Sequence, residues 1–319
     1  MKNQQPTKVQ WLTVDAEYAG QRIDNYLLRL LKGVPKSMIY RILRRGEVRV
    51  NKGRIKPTYR LKAGDELRIP PIRMGDSQDK DAIPVSKATA ETLESRILYE
   101  DKRIIVLNKP GGMAVHGGSG VQFGVIELMR KIRSDLHFLE LVHRLDRDTS
   151  GCLVLAKKRS ALRQLHEKLR EGEVQKRYMA LVEGNWQYGT KKVTVPLQKQ
   201  ILRSGERIVK ASEQGKYAAT TFRALAVSKK ASLLDVEIHT GRTHQIRVHA
   251  AYCGHPIAGD EKYGSEQFNK YLKGIGFRRM FLHARGLSFE MDEPHVDVVV
   301  NAPLDDELET LLTKLSLAV

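Results

Sequence analysis

HRLDRDTSGCLVLA, from His143 to Ala156, joins a charged segment to an apolar run. The apolar part, Cys152–Ala156, is typical of a buried β-strand, so the charged part is predicted to be a loop at one end of a sheet. Other strand-like runs follow one another with few helical segments between them. They lie at Ile104–Leu107, Tyr178–Val182, Thr221–Ala226, Leu233–Ile238, Leu287–Phe289 and Val296–Val300. This order favours an α+β fold with a mixed or antiparallel sheet over a doubly wound parallel one.

Three helices are predicted in the same part of the chain, at Ser160–Arg170, Thr243–Tyr252 and Asp305–Leu315. In the first of these, Leu162, Leu165 and Leu169 share one face, as expected of a helix packed on a sheet.

The charged loop is the strongest candidate for chemistry. Asp146 lies between Arg144 and Arg147, and nearby positive charge favours the ionised carboxylate. An ionised carboxylate can act as a nucleophile or a general base. The structural alternatives are a salt-bridged loop or a cap formed by Asp148 or Thr149. An aspartic protease needs a second carboxylate segment, and no second copy of this segment exists.

Two further segments carry reactive or basic side chains. Thr240–His249 places His244 and Arg247 near a predicted helix start, where they can receive an anion, although a basic exposed helix is the simpler interpretation. His244 and His249 are five residues apart, unlike the i, i+4 pair of a zinc helix, so no metal site is predicted. Tyr178 enters a strand, where it is either a half-buried strand residue or a stacking partner for a base.

The N-terminal region predicts a separate basic unit of two helices followed by a small sheet. Ile23, Leu27, Leu30 and Leu31 have helical spacing, with Asp24, Asn25 and Arg29 on the other face. Ser37 is the predicted cap of a second helix, whose apolar stripe is Met38, Ile39, Ile42 and Leu43. Arg41, Arg44 and Arg45 are predicted on its exposed side. Val48–Val50 and Leu67–Ile69 are read as short strands.

The charge of the chain indicates a polyanionic partner. The 319 residues have a formal net charge of +18, and residues 1–75 contain 17 Lys or Arg against 6 Asp or Glu. Nucleic acid is the leading candidate for such a protein. No segment approaches the roughly 18 uninterrupted apolar residues of a membrane span. Two cysteines and a polar start without a secretory signal predict a cytoplasmic protein with reduced thiols.

Motifs across the chain resemble two known families. The segments RID at 22–24, SMI at 37–39, GEVRVN at 46–51 and LKAGD at 61–65 resemble an S4 RNA-binding domain. From about Ile97 onward the chain resembles the RluA-type pseudouridine synthases. That resemblance is carried by LNKPG at 107–111, HGG at 116–118, HRLDRDTSG at 143–151, KRY at 176–178, GRTHQIRVH at 241–249, GHPI at 254–257 and FLHA at 281–284.

The resemblance implies an enzyme that isomerises uridine to pseudouridine in large-subunit (23S) ribosomal RNA or in a large-subunit assembly intermediate, without a cofactor or a metal. It implies that Asp146 is the essential carboxylate and leaves open whether it attacks the ribose, attacks the uracil or removes a proton. Arg247 would be its basic partner, Tyr178 would pack on the flipped uracil, and Arg144 would occupy the gap left by the base. Ile246 and Leu282 would be apolar walls of the site.

The predicted organisation is an N-terminal tail at 1–18, an S4-like domain at 19–83, a linker at 84–96 with a helical turn near Ala90–Leu93, and a catalytic domain at 97–319 with a mostly antiparallel mixed sheet. Lys36, Arg41, Arg44, Arg45 and Arg49 would bind RNA, and a monomer is expected. A non-catalytic RNA-binding factor and an RNA methyltransferase are the competing classes. The methyltransferase would need a Gly-rich strand–loop–helix for its donor, which the sequence lacks.

Overall fold

The computed structural model describes residues 8–31, 33–72, 85–117, 123–201, 207–292 and 294–318. Contacts between residues divide the chain into two units, Met1–Pro84 and Val85–Val319. Within the described parts of the chain, no helix has the length and apolar character needed to cross a membrane.

The first unit combines two helices with a four-stranded sheet. Its elements are β1 (Gln10–Thr13), α1 (Ile23–Leu30), α2 (Lys36–Arg44), β2 (Arg49–Val50), β3 (Gly53–Arg54) and β4 (Glu66–Ile69). The strands are ordered β1-β4-β2-β3 and are antiparallel. Residues of both predicted helical stripes meet the strands in one core that includes Ile23, Leu27, Ile39, Leu43 and Leu67. Leu30, which was predicted on the stripe of α1, is exposed instead.

Three further details of this unit differ from the sequence predictions. Residues 10–13 pair with β4, so a strand replaces this part of the predicted tail at 1–18. Asp24 is buried rather than on an exposed face, because its carboxylate binds Arg22 and Tyr40. Ser37 does not cap α2, because the helix begins at Lys36, directly after Pro35, and Ser37 lies within its first turn. The predicted domain end at residue 83 lies outside the described residues.

The second unit contains most of the chain. Its elements are α3 (Lys87–Glu94), β5 (Ile97–Glu100), β6 (Ile104–Lys109), α4 (Val125–Ile132), β7 (Glu140–Leu141), β8 (Ser150–Ala156), α5 (Arg159–Glu171), β9 (Gln175–Glu183), β10 (Thr190–Val193), β11 (Leu197–Ile201), β12 (Arg207–Ala211), β13 (Thr220–Val227), β14 (Ala231–Ile238), α6 (Gln245–Tyr252), α7 (Glu266–Gly274), β15 (Leu282–Met291), β16 (Val296–Asn301) and α8 (Asp306–Lys314).

The α+β fold with a mixed, mostly antiparallel sheet is confirmed. The main path of the sheet is β10-β13-β14-β9-β15-β8-β6-β5, with β16 paired to β15 and β7 to β8. The one parallel contact among these described pairs joins β15 to β8, through His283 opposite Ser150 and Ala284 opposite Gly151. This junction brings the end of the charged loop beside the start of β15.

The two faces of the sheet carry different cores because side chains alternate along each strand. On β9, Tyr178, Ala180 and Val182 pack with residues of α4 and α6. Leu181 points to the opposite face and packs with α7 and α8. A third core lies between α5, β8 and β16. The face that holds Tyr178 is therefore the one on which α6 places its side chains.

Several boundaries also need correction in this unit. The predicted linker at 84–96 contains α3, which is capped by Ser86 and buries Leu93. Helix α6 begins at Gln245 rather than at Thr243. Helices α4 and α7 and the β11–β12 hairpin were not predicted, although the buried residues of α4, Val125, Ile126 and Met129, do have helical spacing.

Gly151 shows why the charged loop requires glycine where it enters β8. Its φ is +104°, and a Cβ there would lie 2.3 Å from the carbonyl oxygen of Ala284. Any larger residue would separate β8 from β15, so Gly151 permits the close approach that fixes the end of the loop.

Candidate active site

The side chain of a buried lysine binds the backbone of the charged loop. Lys109, at the end of β6, is fully buried, and its ammonium donates to the carbonyl oxygens of Pro110 (2.8 Å), Met113 (2.8 Å) and Arg147 (2.9 Å). Burial lowers the pKa of Lys109 to about 7. Because three carbonyl groups converge on one side chain, Lys109 ties the loop to the segment that follows β6.

A second set of contacts fixes the end of the loop. The Ser150 hydroxyl lies 2.9 Å from Nδ1 of His283, whose Nε2 lies 3.1 Å from the carbonyl oxygen of Ala302. Leu145, beside Asp146, is buried in the core. The loop is therefore anchored on both sides of Asp146, and the carboxylate is the part that faces a cavity.

Arg247 joins Asp146 to a second carboxylate. Its Nη1 donates to Oδ2 of Asp146 at 3.1 Å, while Nε and Nη2 donate to the two carboxylate oxygens of Asp260 at 2.7 and 2.8 Å. Asp260 also accepts hydrogen bonds from the backbone amides of Lys262 and Tyr263. The two-oxygen contact leaves the guanidinium little freedom to rotate, so its remaining nitrogen stays directed at Asp146.

Burial and ion pairing shift the pKa values of Asp260 and Arg247 in opposite directions. Burial alone would raise the pKa of Asp260, but the hydrogen bonds and charge of Arg247 and the two backbone amides hold that pKa below its usual value. Burial alone would lower the pKa of Arg247, but Asp260 and Asp146 raise it. Both members of the pair are therefore charged at neutral pH.

All six residues predicted for the site line one cavity of about 120 Å³, formed where the charged loop meets α6 and the start of β15. They are Arg144, Asp146, Tyr178, Ile246, Arg247 and Leu282. The ring of Tyr178 belongs to the core, and burial raises the pKa of its hydroxyl. Ile246 and Leu282 are also buried, whereas Arg144 is exposed at the rim. The cavity thus combines one carboxylate, one fixed cation and apolar walls.

A wider cleft of about 710 Å³ shares Asp146, Arg144 and Arg247 with this cavity. Basic side chains line it, among them Arg147, Lys262, Arg278 and Arg279. A polyanionic strand lying in this cleft would bring one of its units to the carboxylate.

Asp260 and Tyr263 were not among the residues predicted for the site. Asp260 lies three residues beyond the GHPI segment that was recognised, and its burial depends on Arg247, which no local pattern reveals. Tyr263 lies with its ring 5.0 Å from the guanidinium carbon of Arg247. His244 was predicted near the start of a helix as a group that can receive an anion, and it directly precedes α6 with a φ of +53° instead of lying within the helix.

In the first unit, the five cations predicted to bind RNA are all exposed. Lys36, Arg41, Arg44 and Arg45 lie on or directly after α2, and Arg49 lies on β2. Their apolar neighbours Ile39, Ile42 and Leu43 point into the core. The helix therefore presents a basic face, as its sequence period predicts.

Comparison with known protein families identifies the class of protein to which this fold and cavity belong. A family model for RNA pseudouridylate synthase matches residues 103–252, and one for the S4 domain matches residues 21–67. The chain belongs to the RNA pseudouridylate synthase family and is a pseudouridine synthase.

Relatives that match over nearly the full length of the chain narrow the comparison within this family. The chain is 56% identical to "Ribosomal large subunit pseudouridine synthase C" of Pasteurella multocida, over 95% of this chain and 93% of the relative. It is 55% identical to the protein of the same name from Escherichia coli K12, over 99% of both. Among solved structures, human RNA Pseudouridylate Synthase Domain Containing 4 matches with a TM-score of 0.60 and 27% identity, over 72% of this chain and 96% of that one.

Proposed function

We propose that this protein converts specific uridines of large-subunit ribosomal RNA into pseudouridine, with Asp146 as the reacting carboxylate. The observation that carries the proposal is the position of Asp146, which faces a small cavity while Arg247 binds its Oδ2 at 3.1 Å. The names of the full-length relatives support the choice of RNA. The expected site of action is the cytoplasm, on ribosomal RNA or a large-subunit assembly intermediate.

The reaction conserves every atom of the nucleotide. The bond between N1 of uracil and C1′ of ribose breaks, the base turns, and C5 bonds to the same C1′. C5 loses a proton and N1 gains one. Because no group is added and no electrons are exchanged, the reaction requires no group donor and no redox carrier.

Each residue of the cavity has a separate proposed task. The uridine must leave its stack to reach a carboxylate that lies inside a cavity, and a planar guanidinium such as that of Arg144 at the rim can fill the gap it leaves. Tyr178 packs against the flipped uracil, while Ile246 and Leu282 bound it with apolar surface. Arg247 binds Oδ2 of Asp146 and orients the carboxylate.

The carboxylate has three chemical routes. It can attack C1′ of ribose, attack the uracil ring, or remove a proton to start the cleavage. In each route an anionic oxygen of Asp146 has to be free. Arg247 occupies Oδ2, so Oδ1 is the oxygen assigned to the reaction.

The test compares Asp146→Asn with Asp148→Asn, a neighbouring carboxylate that is paired with Arg147 at 3.0 Å. The amide keeps the shape of Asp146 but is neither a nucleophile nor a base. We expect Asp146→Asn to form no pseudouridine in a single-turnover assay while binding RNA within about tenfold of the native protein. Pseudouridine formed at the native rate by purified Asp146→Asn would refute the assignment.

Two measurements test the reaction and its target. Product RNA should have an unchanged mass, whereas a methyltransferase would add a methyl group. Mapping pseudouridine at single-nucleotide resolution in cells with and without the gene should show sites missing from large-subunit RNA. If all such sites persist without the gene, the proposed substrate is wrong.

A further inference from the structure

His244 lies beside the reacting carboxylate in an unusual backbone conformation. It directly precedes α6, and its φ of +53° falls in the left-handed region that residues other than glycine rarely adopt. Such strained positions cluster at functional sites when the surroundings hold them in place. Here the conformation directs the imidazole between Asp146 and Tyr263.

Both ring nitrogens of His244 have defined neighbours. Nδ1 lies 2.8 Å from the hydroxyl oxygen of Tyr263, and Nε2 lies 3.8 Å from Oδ2 of Asp146. The same Tyr263 oxygen accepts a hydrogen bond of 2.9 Å from the backbone amide of Val209, on β12. The side chain of His244 is 18% exposed.

The hydrogen-bond donors and acceptors from Val209 through Tyr263 to His244 indicate which ring nitrogen of His244 carries the proton. The Tyr263 oxygen already accepts from Val209, and among the described residues the acceptor within reach of its own proton is Nδ1 of His244. If Tyr263 donates to Nδ1, the ring proton of a neutral imidazole must be on Nε2. A proton on Nε2 also suits the carboxylate oxygen it faces, whereas a lone pair there would be repelled.

We infer that His244 is a positioning residue, a neutral imidazole whose Nε2–H is directed at Oδ2 of Asp146 and whose tautomer is set by the Tyr263 hydroxyl. This inference rests on the proposed role of Asp146. The N–H groups of Arg247 and His244 are then both directed at Oδ2 of Asp146 and leave Oδ1 free. The separation of 3.8 Å is long for a hydrogen bond, and such contacts shorten when substrate orders an active site.

The surroundings favour the neutral ring. The charged or titratable groups around His244 are Asp146, Arg247, Asp260, Lys262 and Tyr263. Burial lowers the pKa of His244, and Arg247 and Lys262 act in the same direction against the opposing effect of Asp146. A neutral donor orients the carboxylate without adding a second full positive charge beside it.

The test replaces His244 with two amide residues whose side chains differ in length. In His244→Gln the side-chain nitrogen can occupy the position of Nε2, whereas in His244→Asn it reaches only the position of Nδ1. Asn tolerates the left-handed backbone better than Gln does. If backbone strain alone determined the rate, His244→Asn would therefore be the more active variant. If loss of the donor alone determined the rate, His244→Gln would be the more active one.

We expect His244→Asn to react about tenfold more slowly at saturating enzyme, the effect of losing one hydrogen bond to a charged group. His244→Gln should remain within about threefold of the native rate, and both should bind RNA normally. The control is His239→Asn, since His239 is exposed and contacts the hydroxyl of Thr221.

A direct measurement covers the case in which the variants fold poorly. Nitrogen-15 shifts of the His244 ring in the native full-length protein should show Nδ1 unprotonated and Nε2 protonated, and Tyr263→Phe should remove that preference. The opposite tautomer, or His244→Asn reacting as fast as His244→Gln, would overturn the inference. An active Asp146→Asn would instead refute the proposed function, which is a separate result.

Discussion

Arg247 donates two hydrogen bonds to the carboxylate of Asp260, at 2.7 and 2.8 Å. The side chain of Asp260 has no exposed surface, so the carboxylate of this ion pair is fully buried. The third nitrogen of the guanidinium contacts Asp146 at 3.1 Å. Asp260 therefore orients Arg247, and Arg247 orients Asp146.

The first prediction concerns Arg247. Arg247→Met leaves Asp260 as an unpaired buried charge, a change that typically costs about 3–5 kcal/mol. Arg247→Lys keeps the charge but loses the planar two-oxygen contact, so it should retain partial activity. Thermal unfolding and single-turnover rates should rank native above Lys above Met, with Arg170→Met, an exposed change on α5, as control. If Arg247→Met reacts normally once RNA is bound, Arg247 is a phosphate contact and not the partner of Asp146.

The second prediction concerns Asp260, which touches Asp146 only through Arg247. Asp260→Asn keeps the acceptor for the backbone amides but removes the charge opposite the guanidinium. We expect a loss of stability of about 3 kcal/mol and a single-turnover rate at least about tenfold lower. Glu261→Gln, at the exposed neighbouring position, is the matched control. Native stability and rate in Asp260→Asn would show that Arg247 does not depend on this carboxylate.

The sequence predicted the site residues better than the residues that support them. Asp146, Tyr178 and Arg247 lie in recognisable segments, and their strands follow from apolar runs such as Cys152–Ala156. Asp260 lies in a loop of mixed composition. Its importance arises from a contact with a residue 13 positions earlier, across a turn of the chain that periodicity cannot describe.

The short elements missed at the unit boundaries have a similar cause. Helix α3 buries Leu93 alone among its residues, so its amphipathic pattern is weak and the polar composition before it suggested a linker. Strand β1 has Trp11 more than half exposed, and it is a strand because β4 offers it hydrogen bonds. In both cases tertiary contacts rather than local sequence decide the structure.

The third prediction concerns the basic face of α2. Arg41→Met should weaken RNA binding modestly and reduce the salt dependence by roughly one unit of slope, because one phosphate contact is lost. The chemical step at saturating enzyme should stay unchanged. Binding measured at several salt concentrations checks this, with Arg170→Met as the surface control. A slower chemical step with native affinity would contradict a role in RNA binding.

The last prediction is a pH dependence of stability that arises from His143. This residue opens the charged loop, and its Nε2 accepts the backbone amide of Val154 at 3.1 Å, so the ring is held neutral. Burial, with a smaller effect of Lys176, lowers the pKa of His143 from an ordinary value of 6.5 to about 4.

Between pH 6.5 and about 4, the unfolded chain therefore binds a proton at His143 that the folded chain does not bind. The free energy of unfolding should fall as the pH falls through this range, by at most about 3 kcal/mol from this group. Burial also lowers the pKa of His244, His249 and His283, which act in the same direction. The native protein should thus lose more stability than His143 alone accounts for.

His143→Gln offers an oxygen to the Val154 amide and removes the titrating ring. Denaturant unfolding between pH 4.5 and 7.5, conditions chosen to span the range, should give a shallower pH dependence for this variant than for the native protein. His137→Gln, at an exposed position, is the matched control. Equal slopes for His143→Gln and the native protein would show that His143 takes up its proton as readily in the folded chain as in the unfolded one, and that the Val154 contact does not hold it neutral.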